Sequence, residues 1–125
     1  MNDLIEEDTA LLVPRDLPEK QLLERDVEGP VKKYAKNRHS MLVDKFVSPS
    51  KRSVPDDLFT NNHGYMFFIE FKAPGEEPTE KQSLDHKKRR AKGVSVFVID
   101  DIEEGKRLID RMAKETPCER PFDEC

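Results

Sequence analysis

Tyr65-Met66-Phe67-Phe68-Ile69-Glu70-Phe71-Lys72 decides how this chain folds. A run so rich in aromatics fits a pleated, half-buried surface and reads as a strand. Side chains alternate along a strand, so Met66, Phe68, Glu70 and Lys72 share one face and Phe67, Ile69 and Phe71 the other. Just before it, Asn61-Asn62-His63-Gly64 has the chemistry of a hairpin turn, which makes Asp56–Thr60 a short antiparallel neighbour. Just after it, Ala73-Pro74-Gly75-Glu76-Glu77-Pro78 breaks the strand.

Working outward, Met41–Val47 reads as an earlier strand and Ser48–Ser53 as a polar, basic loop. Upstream, Asp16-Leu17-Pro18-Glu19 has the pattern of a capping box. Leu23, Val27, Val31, Tyr34 and Ala35 follow at helical spacing, and Gly29-Pro30 predicts a kink in that helix. Downstream, Thr79–Lys92 reads as a helix ended by Gly93, and the β-branched run Val94–Ile99 as a buried strand. Asp100-Asp101 opens a last helix that packs through Ile102, Leu108, Ile109 and Met112. The order is α-β-β-β-α-β-α. Residues 1–15 read as an arm, 16–115 as one domain and 116–125 as a flexible acidic tail.

A chain of 125 residues supports one modest core. No apolar run approaches the ~18 residues that cross a bilayer, and the acidic N-terminus does not resemble a signal peptide, so a cytoplasmic protein is expected. Cys118 and Cys125 both lie at the far end, without the His spacing of a zinc site. The net charge of −4 hides an asymmetry: residues 31–114 carry 18 Lys and Arg against 13 Asp and Glu, and the ends are strongly acidic. A basic centre admits nucleic acid as a partner, whereas the acidic ends are equally read as solvated segments.

Two carboxylates and a lysine meet near the edge of the predicted sheet. Pro55 fixes the entry to the strand that begins at Asp56, and the hairpin brings Asp56 toward Glu70. Glu70 and Lys72 point the same way. Paired carboxylates beside a lysine suit a divalent cation acting on a phosphodiester, with the main-chain carbonyl of Phe71 as a further ligand. The bland alternative is an edge-strand ion pair with an ordinary turn aspartate. Glu24 falls on the apolar stripe of the first helix, where an acid calls for a metal, a basic partner or a partly exposed rim. Glu28 lies nearer the stripe's edge and is expected to be solvated. Gln82 stands three residues after Thr79 and either caps its own helix, reaches the end of the Glu70 strand, or does both. Lys45 points toward the site or is an exposed edge lysine. Lys51, Arg52, Lys87, Lys88, Arg89 and Arg90 are candidates for contact with phosphates, or simply a solvated face. No histidine has metal spacing or a Ser or Cys partner, and there is no glycine-rich phosphate loop.

The chain resembles the VRR-NUC family, the virus-type replication-repair nucleases of the PD-(D/E)xK superfamily. The resemblance runs from Leu22 to Met112. It rests on Glu24-x-x-Val27, Lys45-Phe46-x-Ser48-Pro49, Val54-Pro55-Asp56, Phe68-Ile69-Glu70-Phe71-Lys72-Ala73-Pro74-Gly75, Pro78-Thr79-x-x-Gln82 and Gly93-Val94-x-Val96-x-Val98-Ile99-Asp100. It implies an α/β, restriction-endonuclease-like core with a mixed central sheet flanked by helices. It implies active-site positions at Glu24, Asp56, Glu70, Lys72 and Gln82, with Asp56 and Glu70 holding Mg²⁺ or Mn²⁺. It further implies a homodimer acting on branched DNA such as four-way junctions. The family usually has glycine where Ser53 stands and often arginine where Asp57 stands; Asp57 is expected to add negative charge beside the metal site. A metal-dependent endonuclease is the first expectation. A flap or single-strand nuclease, or a DNA-binding or assembly protein that does not cut, are the alternatives.

Overall fold

The computed structural model describes residues 21–117. The arm, the Asp16–Glu19 capping box, both cysteines and nearly all of the acidic tail lie outside the described residues. Seven elements follow in the expected order: α1 (Glu24–His39), β1 (Leu42–Lys45), β2 (Asp57–Thr60), β3 (Met66–Phe71), α2 (Glu80–Ala91), β4 (Val96–Ile99) and α3 (Ile102–Met112). The strands form one mixed sheet in the order β1-β2-β3-β4. The first three are antiparallel neighbours, and β4 joins β3 in parallel through α2.

The alternation along β3 sets the layers. Phe67, Ile69 and Phe71 are fully buried with Phe59 against Val27, Val31 and Ala35 of α1 and Leu108, Ile109 and Met112 of α3. Phe59 stacks on Phe67, its cross-strand partner, with ring centroids 5.2 Å apart. On the opposite face, the Arg89 guanidinium of α2 lies 5.6 and 5.7 Å from the ring centroids of Phe46 and Phe68. Helices therefore cover both faces of the sheet. At the α1–α3 contact the helices meet at Gly105, where a Cβ would stand 2.6 Å from Val31 Cγ2.

Two local expectations are corrected. The first helix begins at Glu24, and Leu23 is 47% exposed instead of sitting on the buried stripe. Asp26 is the reason: its carboxylate accepts the Leu23 N–H at 2.8 Å and so fixes the chain entry one residue before Glu24. Pro30 lies inside this helix, which spans Glu24–His39. The strands are also shorter than expected, because β1 stops at Lys45 and β4 starts only at Val96. Arg90 marks that start, donating from Nε and Nη2 to the Val96 carbonyl at 3.0 and 2.7 Å.

Candidate active site

Asp56 is held from two sides at the mouth of β2. Its carbonyl accepts the Phe46 N–H at 2.8 Å, tying it to the end of β1. Its Oδ2 accepts the Phe71 N–H at 3.0 Å, tying it to the end of β3. Val54 and Pro55, both buried, anchor the approach. In a strand, N–H and C=O of one residue point to the same side, so the Phe71 carbonyl is directed toward the same β2 edge.

Glu70 is 1% exposed, on the α2 face of β3. Gln82 Nε2 donates to its Oε2 at 3.1 Å, while Gln82 Oε1 accepts the Thr79 N–H at 2.9 Å. The glutamine thus caps α2 and grips Glu70 at once. Lys72 Nζ stands 3.9 Å from the same Oε2. Glu70 Oε1 is buried without a hydrogen-bond partner. Burial, and then the nearby Asp56, push the Glu70 carboxyl up to about 8. Glu24 is also raised, first by burial and then by Asp56, while Lys72 acts the other way. The structure therefore brings Glu24, Asp56, Glu70, Lys72 and Gln82 into one cluster.

Such a cluster fits a divalent cation. The Asp56 carboxylate opposes ionisation of Glu24 and Glu70, and one buried oxygen lacks a partner. Among the described residues no group of three or more His, Cys, Asp or Glu side chains is gathered to hold a metal ion by itself. A cation here would draw on Asp56, Glu70, the Phe71 carbonyl and water, the sparse ligation that Mg²⁺ favours.

Asp57 lies elsewhere. Adjacent strand residues point to opposite faces, so Asp57 turns with Ile69 toward α1 and is fully buried there. Its Oδ1 accepts from Lys32 Nζ at 3.2 Å, and Lys45 Nζ lies 4.0 Å away. Glu28 is not solvated as expected. It accepts from Lys32 at 3.2 Å and Lys45 at 3.0 Å and shares a hydrogen bond with Asp57. The pair splits its acidity. Burial and Glu28 hold Asp57 up at about 7, whereas hydrogen bonds from Asp57, Lys45 and Lys32 outweigh burial and bring Glu28 down to about 2. The charge of Asp57 is thus taken up under α1.

The basic candidates divide. Arg52, Lys87 and Lys88 are exposed. Lys51 pairs with Asp85 at 3.3 Å, Arg89 Nε with Asp85 at 2.7 Å, and Arg90 with the Val96 carbonyl as described above. Lys45 joins a groove of about 520 Å³ along α1 with Arg25, Lys32, Lys33 and Lys36, four residues that the sequence reading did not single out. His86 was missed as well. It is 1% exposed, with Nε2 3.5 Å from Glu70 Oε1. The signal was present in the spacing: Gln82, Asp85, His86 and Arg89 recur at the i, i+3, i+4, i+7 positions that face a core.

A solved structure titled "VRR_NUC domain" superposes with a TM-score of 0.58 at 32% sequence identity, covering 66% of this chain and 94% of that one. A protein of Acyrthosiphon pisum secondary endosymbiont phage 1, named "Putative nuclease p44", is 48% identical over 56 residues. That match takes in 45% of this chain and spans 60% of the relative's length. No protein-family model matches the chain.

Proposed function

Because the chain belongs to the VRR-NUC family, we propose that it is a metal-dependent DNA endonuclease, with Mg²⁺ or Mn²⁺ as cofactor and branched DNA such as four-way junctions as substrate. The observation that carries the reading is the meeting of Asp56, Glu70 and Lys72 where β2 begins and β3 ends, with a buried oxygen of Glu70 unpartnered.

In this reading Asp56, Glu70 and the Phe71 carbonyl would hold the cation. When bound it supplies Lewis-acid charge and a water of lowered pKa. Lys72 aligns the attacking water and offsets charge on the phosphate. Glu24 orients that water from the N-terminus of α1. Gln82 fixes the Glu70 carboxylate. Water adds to phosphorus, the bond to O3′ breaks, and the products are a 5′-phosphate and a 3′-hydroxyl. Arg52, Lys87, Lys88 and the basic groove along α1 meet the DNA backbone.

A homodimer would set two such sites on opposing strands. Leu42 and Met66, 66% and 55% exposed, flank Thr60 in one cross-strand row, an apolar surface suited to self-association. None of the helices among the described residues is long and apolar enough to cross a membrane. The proposed place of action is the cytoplasm, the host's if the gene is viral.

The test is cleavage of labelled four-way junction, flap, duplex and single-stranded DNA with Mg²⁺, Mn²⁺ or EDTA. Paired, symmetric, metal-dependent cuts on the junction with 5′-phosphate ends support the reading. Preferential cutting of the flap or single strand keeps the nuclease and replaces its substrate. Salt-sensitive binding with no cutting of any substrate refutes it in favour of a binding protein.

A further inference from the structure

His86 and Glu70 present two of the three buried side-chain polar atoms that have no hydrogen-bond partner among the described residues, and these two atoms face each other. Glu70 Oε1 and His86 Nε2 are 3.5 Å apart, and each residue is 1% exposed. Leaving two such groups unsatisfied in contact costs stability. The distance is too long for a well-formed bond. Nothing else nearby competes for the Glu70 oxygen: Gln82 and Lys72 both address Oε2.

The placement follows from α2. Gln82 and His86 are one turn apart on the same face, so the helix that puts an amide on one Glu70 oxygen puts an imidazole on the other. Once Glu70 is ionised, as a bound cation requires, the ring adopts the tautomer that turns an N–H toward it, since two acceptors would repel. Asp85 next to it is committed to Lys51 and Arg89, which pins this turn of the helix to the loop after β1.

The geometry points to His86 as a positioning residue: when Glu70 is ionised to take up the cation, Nε2–H closes on one lone pair of Oε1 and, with Gln82 on Oε2, locks the carboxylate so that its remaining lone pairs receive the cation. The inference rests on the metal-site reading above. A ligand held from both oxygens loses less rotamer freedom on binding. Outer hydrogen bonds of this kind are worth about 10- to 100-fold in metal affinity.

The test is calorimetric titration of the full chain with Mn²⁺, without DNA, on wild type, His86→Phe, His86→Ala and His86→Gln, with thermal melts beside each. Phe keeps the ring volume and removes the donor; Gln returns an N–H at nearly the reach of Nε2. The expected result is Mn²⁺ affinity lowered about 10- to 100-fold in whichever apolar variants melt cooperatively, and restored to within about threefold in His86→Gln. Affinity within twofold of wild type in those apolar variants would overturn the positioning role. Equal losses in Gln and Phe would overturn it too, by showing that only the ring's packing matters. Failure of wild type to bind Mn²⁺ would instead overturn the metal-site reading, and this inference with it.

Discussion

Replacing Glu70 with glutamine should make the metal-free protein more stable while removing its cation site. The carboxyl is raised from 4.5 to about 8 by burial and by the Asp56 carboxylate. A raised acid favours the folded state only while it is protonated in both states. Stability contributed by Glu70 is therefore full below about pH 4.5 and falls as pH climbs through 8. At pH 7 the folded protein holds a proton there that the unfolded chain releases, a cost of about 3 kcal/mol at ~1.4 kcal/mol per pH unit. Glu70→Gln keeps the shape and the acceptor for Gln82 and escapes that cost. In EDTA its melting temperature should exceed that of wild type by on the order of 10 °C at pH 7, with the gap closing toward pH 4.5 and levelling above 8. Other groups that titrate in this range, Asp57 among them, are common to both proteins and drop out of the difference. Adding Mn²⁺ should raise the wild-type melt by mass action and leave Glu70→Gln unmoved. Thermal melts of both proteins from pH 4.5 to 9, with EDTA or Mn²⁺, check this. A gap that does not change with pH, or a less stable Glu70→Gln at pH 8, would refute the reasoning.

Three further outcomes are expected. Asp57, raised to about 7, likewise contributes stability that is lost as pH rises from about 4 to 7, so Asp57→Asn should be the more stable protein in melts above pH 7 and lose that advantage near pH 4, with metal-dependent cleavage retained because its side chain turns to α1. Gly105→Ala gains roughly 1 kcal/mol of helix propensity but drives a Cβ to 2.6 Å from Val31, so denaturant unfolding should show a net loss of about 1–2 kcal/mol. Lys33→Ala with Lys36→Ala should weaken DNA binding and lower the slope of log affinity against log salt by about 0.9 for each phosphate no longer neutralised, read by fluorescence anisotropy across salt.

The parts of the fold that sequence displayed were those with a strict period or a named turn. Alternation along Tyr65–Lys72 put Glu70 and Lys72 on one face, the Asn61–Gly64 turn made β2 its neighbour, and Thr79 with Gln82 opened α2 where it begins. What stayed hidden depended on which helix lies over which face. His86 sits within a basic run, and its helical spacing from Gln82 gains meaning only once α2 is laid on Phe68 and Glu70. Asp57 differs from Asp56 by one position along the chain, and the pleat alone sends it to α1 and away from Glu70. Glu28 and Lys32 reveal their role only once Asp57 is seen beneath them, and Asp26 ends the helix's upstream reach through a single hydrogen bond to Leu23 that no periodicity announces.

The measurement that bears most directly on the central claim is single-turnover cleavage of a labelled four-way junction in Mn²⁺ by wild type, Asp56→Asn and Lys72→Ala, with junction binding measured on the same samples in Ca²⁺. The account predicts metal-dependent cutting by wild type and a loss of at least about 100-fold in both variants, with binding within a few fold of wild type. Undiminished cutting by Asp56→Asn would contradict it, because the reaction would then not depend on the carboxylates gathered where β2 begins and β3 ends.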